Sequence, residues 1–508
     1  MYANRFDRAV EGVYEARESD WRQGAVVYQV LVDRFAPSAD LEAKRHLYPA
    51  PKRLRSWDEV PAPGRYLPEE KLWSQEIEFW GGDLASTRAH LGHVQQLGAD
   101  VLYLNPICHA HTNHKYDALD YHAVSPEYGT RDDVRALADD LHGRGMRLML
   151  DGVFNHMGRH APVFTEAAAQ PGSPVRDWFF FGDEFPGGAR GWMQAQNLPE
   201  LRMEHPAVQE HLYAGRDSVV RRWLRDGVDG WRLDVAHDIG FTLLEQITRA
   251  AHEERPGSWV VGEIAGYPRE WFPSVDGVMH FALRGLLLRL ADGRIDADAF
   301  GRMVARMVAD CGTENLLRSW IFLENHDTER LATRVPEVRM RRLLQALQFT
   351  LPGSPNLFYG GELDMEGGAD PAMRAPMRWD LATPEHPALA WTRQLAALRR
   401  AHRALRVGDY RPVEAQRLFA FERHTDRAAD TVIVVANPSD DTLTETLMVA
   451  NSKMMESTPL TDLLLPAPGA PLTLSAALLD VTMPPRSLRV LAPRTAPQGG
   501  YTPYKRVQ

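Results

Sequence analysis

The sequence predicts an α/β architecture: a (β/α)8 barrel (TIM barrel) with a domain inserted after its third strand and a C-terminal antiparallel β-sandwich. Three observations carry this expectation. Eight short apolar runs alternate with longer segments of helical period, and several are nearly continuous in Val, Ile, Leu and Met, as strands covered on both faces of a parallel sheet are. The gap between the third and fourth runs is too long for a simple strand-to-helix connection. After about Leu405 the helical period stops, and short strand-like runs spaced by turn residues replace it.

The eight runs, in order, are VVYQVLVDRF (26–35), VLYLNPI (101–107), MRLMLDGVF (146–154), GWRLDV (230–235), WVVGEI (259–264), DGVMHFA (276–282), SWIFLENHD (319–327) and NLFYGGE (356–362). The helices between them carry their own start and stop signals. Thr130 and Asp133 form a capping box, Val134, Leu137 and Leu141 then share one face, and Gly143 and Gly145 end the helix. Segment 84–97 repeats the pattern, with Asp83 placed as its cap. Residues 155–205, rich in Gly, Pro and aromatics, read as the inserted domain, and 35–80 as a second long excursion after the first strand. The expected division is 1–154 with 206–404 as the catalytic barrel, 155–205 as the insertion, 405–495 as the sandwich (with a loop at 466–471) and 496–508 as a loosely ordered tail.

Composition narrows the function classes. Hydrophobic residues at 44% and charged residues at 25% exclude a disordered or collagen-like chain. The net charge of −10 repels phosphate backbones and anionic membrane faces, so neither nucleic acid nor membrane is an expected partner. Cys108 and Cys311 form no CxxC pair, which excludes a disulfide framework and favours a reducing compartment. The N-terminus lacks the apolar core of a signal peptide, and no apolar run approaches the roughly 18 residues of a membrane span. A cytoplasmic enzyme is expected.

In such a barrel the active site lies at the carboxyl ends of the strands. The third run ends in Asp151 with Asn155 and His156 just beyond, the fourth carries Arg232 and ends in Asp234, the fifth ends in Glu263, and the seventh ends in Glu324, Asn325, His326 and Asp327. Any one of these acids alone reads as a helix cap or a solvated loop residue. Three acids, an Arg and two His converging at one end read as a reactive cluster. Cleavage of a glycosidic bond needs a carboxylate nucleophile and a carboxylic acid to protonate the leaving oxygen. Asp234 and Glu263 lie one strand–helix unit apart, on neighbouring strands that can bring carboxyls to the roughly 5–5.5 Å of a retaining mechanism. Arg232, two residues before Asp234, shares its strand face and is expected to lower its pKa. Desolvation behind Val260 and Val261 is expected to raise that of Glu263.

The segments DGVFNH (151–156), GWRLDVAHD (230–238), GEI (262–264) and FLENHD (322–327) resemble the four ordered signature regions of the α-amylase family of glycoside hydrolases. The resemblance implies an α-glucan-active barrel with an inserted domain and a β-sandwich. It implies Asp234 as nucleophile, Glu263 as general acid/base, and Asp327 as the acid that binds sugar hydroxyls and stabilises the oxocarbenium-like state. Arg232, His156 and His326 would line the sugar site. HKYDALDY (114–121) resembles the segment whose Tyr, here Tyr116, stacks on the ring, with Asp117 beside it. Asp370 and Arg374 match a later acid–Arg pair that touches sugar hydroxyls. Looser matches in 113–117, 191–202 and 367–380 are most similar to the neopullulanase, cyclomaltodextrinase and maltogenic amylase group.

Several features depart from that group. Only residues 1–25 precede the first strand, so the N-terminal β-domain of many relatives is expected to be absent, which leaves the oligomeric state open. Ala265 and Gly266 stand where relatives place a Trp, and a more open acceptor side is expected. The sequence after DRF (33–35) lacks the calcium-type residues of the group's first loop. Asn155 matches the family's calcium-site Asn and would serve equally to hydrogen-bond its loop; calcium needs six to eight oxygens, which the sequence does not count, so calcium near Asn155 is left open and not predicted, and no other metal or required cofactor is expected. CHAHTNH (108–114) offers a thiol and three imidazoles, but at no standard zinc spacing. The tryptophans of the long excursions, Trp57, Trp73, Trp80, Trp178 and Trp192, are expected to be mostly local core, with sugar platforms among them.

The activity expected is retaining hydrolysis of α-1,4 bonds in short maltodextrins, with cyclodextrins and pullulan as further substrates. The same carboxylates would serve an α-glucan transglycosylase, the alternative. A catalytically dead glucan-binding barrel should have lost one of the three acids, and none is missing. A metal-dependent barrel hydrolase would carry HxH at the first strand, where Tyr28, Gln29 and Val30 stand instead.

Overall fold

A computed structural model describes residues 12–464 and 472–506; the loop expected at 466–471 lies outside the described residues. Eight parallel strands close into a barrel: β1 (Val27–Val30), β2 (Val101–Leu104), β3 (Arg147–Gly152), β4 (Gly230–Leu233), β5 (Trp259–Ile264), β6 (Gly277–His280), β7 (Trp320–Phe322) and β8 (Ser354–Phe358). Each lies inside or overlaps one of the eight apolar runs. The strands are shorter than the runs because a run continues into a turn: after β1, residues Val32–Phe35 coil into a single helical turn.

Side chains alternate between the lumen and the surrounding helices, as period-2 geometry requires. Val27, Val101, Tyr103, Met149, Trp259, Val261, Met279, Trp320 and Phe322 fill the interior as one apolar cluster. Tyr28, Leu102, Leu148, Leu150, Leu233 and Val260 point outward into the larger core beneath the helices. Thr130 caps helix Arg131–Gly143 as expected, and Gly145 follows with φ of 74°. Asp83 caps the next example too, but the segment expected as one helix is two, Leu84–Ala89 and Leu91–Gln96, broken at His90.

The long excursion after β3 is mostly irregular. It holds one short α-helix, Pro162–Ala169, three 3₁₀ turns, isolated bridges such as His156 to Glu200, and an aromatic cluster of Phe164, Phe179 and Phe181. The excursion after β1 has its own small core of Tyr48, Leu72, Ile77 and Phe79.

Beyond the barrel, a six-stranded antiparallel sheet faces a two-stranded one, Leu443–Met448 paired with Leu478–Met483. Strand Val432–Asn437 explains why its sequence is apolar without alternation. Ile433 and Val435 enter the core between the sheets, while Val432, Val434 and Ala436 face the barrel helices. Within the segment expected to be a loose tail, Tyr504 is buried, and its hydroxyl accepts a hydrogen bond from Met455 N at 3.0 Å.

The loop after β2 is anchored by a buried ion pair between Lys115 and Glu127, with side chains 0% and 2% exposed. The Lys115 ammonium also lies 4.9 Å from the ring centroids of Phe79 and Tyr128. Burial alone would raise the Glu127 carboxyl, but Lys115 and Lys52 outweigh it and hold it down to about 2. Lys115→Met should therefore lower unfolding free energy by about 3–5 kcal/mol, read from urea midpoints, because it leaves a buried acid without its main partner. The folded pKa is depressed, so Glu127's contribution is complete above its unfolded pKa of about 4.3 and fades as pH falls toward about 2. Wild type should lose stability across that window faster than Glu127→Gln.

Candidate active site

Strand parity builds the site. The positions that carry apolar side chains low in the lumen become polar at the carboxyl ends: Gln29 on β1, Asn105 just past β2, Asp151 on β3, Arg232 on β4 and Glu263 on β5. The register pairs Asp151 directly with Arg232. Arg232 is fully buried, and its Nη1 donates to Asp151 Oδ1 at 2.8 Å and to Asp234 Oδ1 at 2.8 Å. Its Nη2 lies 2.9 Å from Glu263 Oε1. One guanidinium thus holds three carboxylates from three adjoining strands, with Asp234 and Glu263 side by side.

Asp234 sits on a strained turn. Val235, a β-branched residue, adopts φ of 38° and ψ of 46°, and its N–H donates to Glu263 Oε2 at 2.9 Å. Arg232 does pull the Asp234 pKa down, but the expectation that it leaves that pKa below the ordinary value is corrected here. Burial and the neighbouring charges of Glu263, Asp151 and Asp327 push Asp234 up, and Arg232 alone does not offset them. The reason is charge balance: Arg232 is shared among three acids rather than reserved for one.

A hydrogen-bonded shell orients this cluster. Asp151 Oδ2 accepts from Tyr103 at 2.5 Å and from Tyr116 at 2.9 Å. The Gln29 amide accepts from Asn356 and donates both to Asn105 and, at 2.9 Å, to His326 Nδ1. That orientation assigns the His326 proton to Nε2, which lies 2.6 Å from the Tyr116 hydroxyl and 3.0 Å from Asp327 Oδ2. The Tyr116 and His326 rings stack in parallel at 5.5 Å. Arg374 bonds the His326 carbonyl at 2.7 Å, Asp327 at 3.1 Å and Asp370 at 3.2 Å. Burial opposes ionisation of Asp327, but His326 and Arg374 outweigh it and hold its carboxyl well below the usual range. Its side chain, 42% exposed, faces the open cleft.

The cleft encloses about 550 Å³ and is lined by Tyr116, His156, Asp234, Glu263, Asp327, Asp370 and Arg374 among others. Burial lowers the His156 pKa to about 3, so its imidazole is neutral, and neither ring nitrogen has a protein partner. Trp192 from the excursion after β3 stacks on His156 at 5.5 Å, and its indole N–H donates to Asp238 at 3.0 Å. Of the five excursion tryptophans, Trp192 is the one lining this cleft; Trp57 and Trp80 donate to the Met377 and Glu59 carbonyls.

Asp117 is not brought to the cleft. Its carboxylate accepts from the Thr112 amide and hydroxyl and fixes the loop from below. Gly158 lets the β3 loop close on it, since a Cβ there would fall 2.4 Å from the Asp117 carbonyl oxygen. Conversely, Glu76, His237, Phe281 and Met373 line the cleft without having been singled out. Gln29 was findable by carrying strand parity one step further; Glu76 arrives on an irregular excursion that no period locates. Asn155 is buried with its Nδ2 unpartnered, and no group of three or more carboxylate, imidazole or thiolate side chains gathers there among the described residues.

The family described as Alpha-amylase, catalytic domain, matches residues 29–394. The chain belongs to this family of glycoside hydrolases. It is 32% identical over 421 residues to a cyclomaltodextrinase from Bacillus sp, covering 80% of this chain and 74% of that one. It is also 32% identical over 423 residues to neopullulanase 2 from Thermoactinomyces vulgaris, covering 80% and 68%. Among solved structures it is similar to the cyclic α-maltosyl-(1→6)-maltose hydrolase of Arthrobacter globiformis, with TM-score 0.78 and 28% identity over 94% of this chain and 99% of that one. That relative has also been solved in complex with maltose and with cyclic α-maltosyl-(1→6)-maltose. No helix among the described residues is long and apolar enough to cross a membrane.

Removing the shared cation tests the electrostatics. Arg232 is the charge that lowers the Asp234 pKa, so Arg232→Met should raise it further. The acid limb of kcat/KM should move to higher pH, and kcat should fall by roughly 10²–10³. A pH–rate profile on maltotriose checks this; an acid limb at the wild-type position would contradict it.

Proposed function

We propose that this protein is a retaining α-glucan hydrolase that cleaves α-1,4 bonds of short maltodextrins, with cyclodextrins and pullulan as further substrates. The observation that carries the reading is the placement of Asp234 and Glu263 on the two terminal nitrogens of one buried guanidinium, with Asp327 facing them across the cleft. The relatives' names, cyclomaltodextrinase and neopullulanase, support the substrate class.

The proposed chemistry follows from these groups. Glu263 donates its proton to the glycosidic oxygen as the bond to C1 breaks, and Asp234 attacks C1 to form a glycosyl ester. Asp327, ionised and open to the cleft, binds ring hydroxyls as positive charge develops. The freed sugar leaves, Glu263 takes a proton from water, and the water oxygen attacks C1, releasing an α-configured product and the Asp234 carboxylate. Neutral His156 offers its ring nitrogens to sugar hydroxyls, His326 orients Tyr116 and Asp327 from behind the cleft, and Asp370 and Arg374 offer acceptor oxygens and donor nitrogens from the rim. The four carboxylates Asp151, Asp234, Glu263 and Asp327 with Arg232 supply all the charge this sequence of steps needs, so it requires no cofactor.

Asp234→Asn should reduce maltotriose turnover by at least 10⁴-fold, the usual scale for loss of a nucleophile in such a unit. Wild-type product followed by proton NMR should appear first as the α-anomer. Initial β-anomer would rule out the retaining mechanism. Saccharides longer than the substrate as main products at high maltotriose would favour transfer over hydrolysis.

A further inference from the structure

Away from the carboxylate cluster, three loops bring together two imidazoles and a carboxylate. Glu70 lies at the turn of the small hairpin formed by Tyr66–Leu67 and Leu72–Trp73; His111 lies in the loop after β2, and His160 in the loop after β3. His111 Nε2 and His160 Nε2 lie 3.3 and 3.5 Å from the same oxygen, Glu70 Oε2. One ligand atom from each residue falls within 4.8 Å of the other two. Zinc bonds of about 2.0–2.2 Å in tetrahedral geometry place neighbouring ligand atoms about 3.3–3.5 Å apart, so two of the three edges already have that spacing.

A second observation points to a ligand. His111 Nε2 is buried and makes no hydrogen bond. A simple ion pair with Glu70 would require protonated imidazoles, and the two rings lie only 5.0 Å apart. Two nitrogens and one oxygen suit zinc, whereas calcium and magnesium prefer all-oxygen sites.

We propose that Glu70, His111 and His160 bind one Zn²⁺, with water completing the tetrahedron on the side where His160 is 44% exposed. The run 108–114, whose spacing in sequence fits no zinc motif, supplies one ligand because the other two come from distant loops. The ion ties together the walls of the cleft. His111 precedes Thr112, which holds Asp117 beside Tyr116. His160 follows Gly158, which packs on Asp117. The Glu70 hairpin leads to Glu76, which contacts His114 at 3.1 Å in the cleft wall. The ion is a positioning device, so its removal should raise KM for maltotriose more than it lowers kcat.

Metal analysis after dialysis against zinc, calorimetric titration with Zn²⁺, and the visible spectrum of the Co²⁺-loaded protein test this without relying on activity. Wild type should retain one zinc per chain, melt at higher temperature with zinc than with chelator, and show the intense bands of tetrahedral cobalt. His160→Ala and Glu70→Gln should each weaken zinc binding at least tenfold while melting like chelated wild type. Failure of wild type to retain zinc would overturn the proposal. So would equal retention by the two variants, which would place the ion elsewhere, such as on the catalytic carboxylates.

Discussion

A fully buried arginine governs this structure. A guanidinium keeps its proton under ordinary conditions, so burying Arg232 in the barrel lumen demands acceptors around it, and here these are carboxylates. Asp151, Asp234 and Glu263 meet that demand from three consecutive strands. The requirement reaches back to strand register. Asp151 and Arg232 are direct partners across the β3–β4 pair, and a slip of one residue would turn one of them out into the apolar core beneath the helices. Fold specification and reactive chemistry therefore rest on the same contact.

Around that cluster the structure uses neutral groups to aim charged ones. Gln29, Asn105 and Asn356 form an amide chain on the lumen side that fixes the His326 tautomer, and His326 then faces both Tyr116 and Asp327. None of these amides reaches the cleft. They act as positioning residues, and their location on strands rather than loops gives the site rigidity. The loops supply what strands cannot: Tyr116, Trp192 and Arg374 close over the mouth, each held by a hydrogen bond to another element.

What could be read in the sequence follows this division. The eight strands were legible because burial on both faces leaves apolar runs, and Arg232, Asp234 and Glu263 because period-2 geometry fixes where a strand residue points. Asp117 could not be placed by adjacency to Tyr116, since its carboxylate turns back onto Thr112 while the Tyr116 hydroxyl reaches Asp151. The direction of the Asp234 shift required knowing how many acids share Arg232, a count that no linear spacing gives. His90 breaks a helix whose apolar pattern runs through it uninterrupted. Tyr504 docks through a hydroxyl contact that leaves no periodic trace.

The opposite end of the barrel shows why the carboxylates matter more than the buried cations. There, Arg399 is just as buried, yet its donors go to the carbonyl oxygens of Gly24 and Phe349 at 2.7–3.1 Å, next to the entrances of β1 and β8. Arg423 likewise donates to the carbonyls of Thr350 and Gly408. Without a contacting acid, burial and the neighbouring Arg423 and Arg406 depress the Arg399 pKa, the reverse of the rise at Arg232. Carbonyl dipoles hold a guanidinium but cannot exchange a proton or attack carbon, so this end only fastens the barrel to the sandwich. The two ends bury the same side chain. Only the end where strands terminate in acids gains a group whose protonation can change during a reaction, and this asymmetry confines the chemistry to one mouth of the barrel.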